Sequence, residues 1–168
     1  MSAIVLLIIL INAILVTSQD SENATQSSCI IDSRVSMLRC VSVSQLKISQ
    51  ALNQWNLTSI SRLEISRTNL GTLETPLTTE RKLRLGEISI VNCGLEIFGD
   101  QALDNLDFNE LESIDLSWNM LMQVPGVVLR LGKLRHLDLS HNKIFSLPPG
   151  SSFNNLNALA TLKLSGNK

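Results

Sequence analysis

One stretch of this 168-residue chain alternates the three residue types of a serine hydrolase: His136, Asp138 and Ser140 fall at every second position. A serine nucleophile, a histidine base and an aspartate to orient it would together perform acyl transfer. Their spacing argues against that use. Same-face residues on an extended strand lie ~6.6–6.8 Å apart, whereas a nucleophile and its base need ~2.6–3.2 Å between reacting atoms. The aspartate also falls between the other two, so His136 cannot readily bridge Asp138 and Ser140. A shallow sheet supplies no oxyanion hole either. Hydrolysis stays an outside option. The chain also has no Gly-rich phosphate loop and no zinc-type Cys/His spacing, so neither a cofactor nor a metal is expected.

The element that carries these residues is one of five copies of a single pattern, L-x-x-L-x-L-x-x-(N/C/T)-x-L. The copies run through Ile60, Leu63, Ile65, Thr68 and Leu70, then Leu85, Ile88, Ile90, Cys93 and Leu95. They continue at Leu111, Ile114, Leu116, Asn119 and Leu121, at Leu134, Leu137, Leu139, Asn142 and Ile144, and at Leu159, Leu162, Leu164 and Asn167. First positions at 60, 85, 111, 134 and 159 give periods of 25, 26, 23 and 25, inside the ~20–29 residues of leucine-rich repeats. The L-x-L core alternates with period two, the sign of a short strand with one buried face. The expected fold is α/β: a leucine-rich-repeat solenoid, or horseshoe, with a parallel concave β-sheet. Short helical or 3-10 turns are expected on the convex side, since Pro125, Pro148 and Pro149 disfavour long helices there.

Two kinds of side chain are expected to hold the return segments. Apolar anchors follow each strand, among them Phe98, Leu103, Leu106, Phe108, Val124, Val127, Val128, Leu131, Phe153 and Leu156. A structural ladder of Thr68, Cys93, Asn119, Asn142 and Asn167 should pair with turn backbone at each strand exit. On that reading Cys93 is a buried thiol with no catalytic task.

The composition is 44% hydrophobic and 17% charged with a net charge of −1. That excludes a disordered chain and offers no bulk charge for nucleic acid. Residues 3–16 are apolar except for Asn12, and 14 residues of helix rise only about 21 Å, too short for a ~30 Å hydrocarbon core. Residues 1–18 therefore read as a secretory signal peptide, although no Lys or Arg precedes the apolar run; an uncleaved anchor is the alternative. Asn23 and Asn56 each head a glycosylation triplet. Residues 19–59 are expected to form a linker and N-terminal cap, with Cys29 and Cys40 joined in a disulfide; two free thiols would suit a reducing compartment instead. Leu38 to Val43 is expected to add an edge strand. Residues 60–168 are the five repeats, the last incomplete, and Leu159, Leu162 and Leu164 are expected to form an unshielded edge. Either the chain is part of a longer protein or that edge is an interface.

The stretches Leu111–Leu121 and Leu134–Pro148 resemble the extracellular leucine-rich-repeat family, whose typical form reads L-x-x-L-x-L-S-x-N-x-I/L-x-x-L/I-P. The first two repeats match more loosely, the cap carries two cysteines where many relatives have four, and no C-terminal cysteine cap is present. The resemblance implies protein–protein recognition through the concave face. It implies a secreted or cell-surface protein whose partner is a protein ligand or receptor, with a membrane involved only through a downstream anchor. The N-terminal ectodomain of a transmembrane receptor in signalling or innate immunity is the alternative.

Outward-facing strand positions define the expected footprint. Position 3 supplies Arg62, Glu87, Ser113, His136 and Thr161; position 5 supplies Glu64, Ser89, Asp115, Asp138 and Lys163. Position 8 adds Arg67, Asn92, Trp118, His141 and Gly166, while the position-7 serines are read as framework. Trp118 is either an exposed anchor or a side chain packed over its own turn. Asp115 and Asp138, expected as lateral neighbours ~4.8 Å apart, are either a docking point for a basic side chain or a solvated acidic pair.

Overall fold

The computed structural model describes residues 27–54, 58–78, 82–107 and 109–168. The expected signal peptide, Asn23, Asn56 and Phe108 lie outside the described residues.

The repeat strands are β3 (Ser59–Ser66), β5 (Leu83–Val91), β8 (Ser113–Asp115), β9 (His136–Asp138) and β10 (Thr161–Lys163). They lie side by side and parallel, with each template position facing its equivalent in the next repeat. The inward row Leu63, Ile88, Ile114 and Leu137 is at most 1% exposed, and Ile65, Ile90, Leu116 and Leu139 are wholly buried. Sealing a Leu or Ile side chain contributes roughly 1.5–3 kcal/mol. Stacked repeats therefore hold each other through these rows. The row ends at Leu162, which is 38% exposed, as expected for the outermost strand.

At the other end the cap is more elaborate than its cysteines alone suggest. A hairpin of β1 (Ser28–Asp32) and β2 (Met37–Val41) brings Cys29 opposite Cys40, where they form the expected disulfide. The pairing of β2 with β3 is parallel and in register, so Leu38 and Cys40 extend the buried rows. The expected edge strand over Leu38–Val43 is thus an inner strand, and the outer edge is β1. Helix α1 (Gln45–Gln54) follows. It buries Ile48, Ala51 and Leu52, the i, i+3, i+4 spacing of one helical stripe, and the Ser44 hydroxyl accepts a first-turn N–H from Lys47.

The return side carries two 3-10 turns, Gly126–Arg130 and Gly150–Phe153. Each sits beside a proline, and the carbonyls of Pro125 and Pro149 accept the N–H groups of Val128 and Ser152. Two short strands, β4 (Thr72–Leu73) and β6 (Ile97–Phe98), form a separate parallel pair, and β7 (Leu106–Asp107) lengthens the pairing of β5. Among the described residues no helix is long and apolar enough to cross a membrane.

The ladder at the strand exits forms with chemistry specific to each residue. Asn119 accepts the N–H groups of Cys93 and Leu95 and donates to the carbonyls of Ile90, Leu116 and Ser117. Asn142 and Asn167 repeat the scheme one and two repeats on. Thr68 accepts from Val43 N and donates to Ser66 O. The Cys93 thiol only donates, to Ile65 O and Val91 O. The carbonyl of Cys93 takes the Leu70 N–H, which an asparagine side chain receives in later repeats.

Candidate recognition surface

The strand register sets the outward side chains in two straight rows. One runs Met37, Arg62, Glu87, Ser113, His136, Thr161; the other runs Arg39, Glu64, Ser89, Asp115, Asp138, Lys163. All of the expected position-3 and position-5 residues therefore share one face. Met37 and Arg39 join them from β2; sequence reasoning missed both because the cap strand lacks the repeat's leucine pattern.

The charges on this face are largely matched to one another. Arg39 Nε donates to Glu64 at 2.7 Å and Arg62 Nε to Glu87 at 2.6 Å, with Glu64 also within reach of Arg62. The hydrogen bond to Glu87 pushes the Arg62 guanidinium above its already high ordinary value. At the far end Lys163 pairs with Asp138 at 3.1 Å. Exposed pairs of this kind contribute about 0–1 kcal/mol each. Their larger effect is to leave the flanks of the face nearly neutral, with Ser89, Ser113, Asp115 and His136 between them.

The two aspartates have a structural task that their sequence positions do not disclose. Asp115 and Asp138 are lateral neighbours in register, as expected. Each also accepts the backbone N–H two residues on, from Ser117 and Ser140, at 2.9 Å. Burial alone would push the Asp138 carboxyl up, but hydrogen bonds from Ser140 together with Lys163 outweigh it and hold it below the usual carboxylate range. This also bears on the hydrolase option. Asp138 is engaged by Ser140 and Lys163, and the buried Ser140 hydroxyl accepts from Ser165. Asp138 and Ser140 thus serve the turn and its neighbours. Among the described residues no group of three or more His, Cys, Asp or Glu is placed to hold a metal ion.

Position 8 forms a third row, and its backbone is left-handed. Arg67, Asn92, Trp118, His141 and Gly166 have φ of 52°, 54°, 57°, 54° and 72°, and Ser42 of the cap joins them at 53°. The geometry turns N–H groups toward the next repeat: Trp118 N donates to Ser140 O and His141 N to Ser165 O. Glycine and asparagine adopt this region readily, whereas Trp and His do so at a cost on the order of 1–2 kcal/mol each. Their rings stack with centroids 3.9 Å apart and planes 16° from parallel, which offsets about 0.5–1.5 kcal/mol. His141 in turn lies over Gly166, where any Cβ would meet Nδ1 at 2.5 Å. Trp118 remains 58% exposed, so it neither hides over its own turn nor stands alone. The signal for this row was present in Asn92 and Gly166.

Residues 109–168 match the family described as Leucine rich repeat. These residues are thus similar to leucine-rich repeats. The match covers the last three repeats, and β3 and β5 join the same sheet in the same register. No curated protein and no solved structure matches the chain. Leucine-rich repeats are typically binding modules, and protein–protein interaction is the general role they support here.

Proposed function

We propose that this chain is a secreted or cell-surface leucine-rich-repeat protein that recognises a protein partner with the outer, concave face of its sheet. The observation that carries the reading is the row register. It aligns Ser113 and His136 in one row and Ser89 and Asp115 in the other, on a framework whose inward face is sealed. The Trp118–His141 stack supplies a rigid aromatic wall beside them, the kind of side chain that anchors interface energy. Export is supported by the apolar leader, by the triplets at Asn23 and Asn56 and by the Cys29–Cys40 bond, which suits an oxidising compartment.

Expression of the tagged full chain in secretory cells tests the setting. The expected product is recovered from the medium or the cell surface and loses mass on glycosidase treatment, and the shift disappears in the Asn23→Gln, Asn56→Gln double variant. A product confined to the cytosol with no glycan contradicts the proposal.

A further inference from the structure

Beside the strand exits, outside the concave face, lies a patch of exposed apolar side chains. Met120 is 40% exposed, Met122 56% and Phe145 61%. They belong to the segments just after each strand, at positions 10 and 12 of the repeat, on either side of the buried position 11, Leu121 or Ile144. Backbone hydrogen bonds stack these segments repeat on repeat: Met120 N donates to Leu95 O and Lys143 N to Leu121 O. The patch is a small grid. Position 12 holds Glu96, Met122 and Phe145 in successive repeats, and position 10 holds Gly94, Met120 and Lys143. Glu96 and Lys143 thus stand at opposite corners, and neither has an ion-pair partner among the described residues.

This grid is complementary to a second copy of itself. Two identical faces meet through a two-fold axis that lies in the contact plane, here running through Leu121 at right angles to the line from Glu96 to Lys143. That axis sets Glu96 of each molecule on Lys143 of the other. Phe145 falls close to the axis, so the two Phe145 rings meet. Met122 packs beside them, a pliable thioether suited to filling the seam around an aromatic pair. At the opposite end lies Gly94, beside which the Asn69 side chain sits 3.2 Å from where a Cβ would be, so the apolar contact is made by the Phe145 and Met122 end of the grid. Charge, volume and symmetry agree, and an isologous contact of this kind is how two identical subunits close on each other. We propose that this grid is the docking site for a second copy of the chain. The concave face stays free in such a pair, so partner recognition and self-association use different surfaces.

Sedimentation velocity of the purified full chain over about 1–100 μM reads this out, alongside melting temperatures that confirm each variant is folded. The wild-type chain is expected to pass from monomer to dimer within that range. Glu96→Lys or Lys143→Glu alone should weaken association by at least about tenfold, roughly 1.4 kcal/mol. The two changes together in one chain should restore it to within about threefold. A second measurement covers any variant that folds poorly: mixed under mild oxidation, Glu96→Cys and Lys143→Cys chains should cross-link to each other more than either does to itself. A wild-type chain that stays monomeric throughout overturns the proposal. So does a combined charge variant that fails to recover, or a patch that binds phosphatidylcholine vesicles while the chain does not self-associate.

Discussion

Asn119 is 6% exposed and answers five backbone groups from two repeats. Replacing it with alanine strands those groups without water. One unsatisfied buried group costs about 1–3 kcal/mol, so Asn119→Ala should lose about 3 kcal/mol or more in a denaturant titration; a loss below about 1 kcal/mol would show that the backbone finds other partners. Cys93, 1% exposed, has its thiol pushed up by burial even though a backbone hydrogen bond from Thr68 acts the other way. A native chain should therefore leave Cys93 unmodified by a thiol reagent at pH 8 and expose it on unfolding, whereas immediate reaction of the native chain contradicts the assignment. Asp138 behaves oppositely. Its folded carboxyl lies below the ordinary range, so its contribution is present above about pH 4, the unfolded value, and is lost as pH falls through the folded one. Asp138→Asn should cost about 1 kcal/mol at neutral pH and flatten the acid side of the stability profile. An unchanged acid limb would place the titrating group elsewhere.

At the scale of the element, the repeat strands were legible because every second residue reports its face. The leucine spacing told which of Leu63, Glu64 and Ile65 turn inward, and the register confirms it. The ladder was legible too, since position 9 accepts only small side chains with a hydrogen-bonding atom. The cap was harder to read. Neither the hairpin nor α1 carries the repeat, and α1 shows its stripe only through Ile48, Ala51 and Leu52, too short a run to stand out beside strand-like neighbours. The paired charges were missed for a different reason. Arg39 to Glu64 and Asp138 to Lys163 are lateral contacts 25 residues apart, visible only once strand register is known. The cap's disulfide closes a short loop, its cysteines 11 apart in sequence. By the chain-entropy model such a closure contributes on the order of 3 kcal/mol. Cys29→Ser or reduction should lower stability by about 2–3 kcal/mol, chiefly at the β1–β2 end; hydrogen exchange that stays slow in β2 after reduction would show that packing alone holds the cap.

For the molecule as a whole, stability comes from contacts between adjacent repeats, so damage should spread from the site to its neighbours and then fade. The solvent-facing side of the sheet contributes little to that stability. Its salt bridges are worth about 0–1 kcal/mol each, against roughly 1.5–3 for each sealed leucine. Ser89, Ser113 and His136 are thus free to serve recognition, while the framework beneath them is set by the inward rows. A photo-crosslinking amino acid placed in the full chain tests that division most directly, in the cells that express it and whatever the partner proves to be. Introduced at Ser113 or His136, it should trap a protein partner as a discrete higher-mass adduct. Introduced at Lys133, on an exposed return segment, it should trap none. Adducts of equal or greater yield from Lys133, with none from the two face positions, would contradict recognition through the sheet.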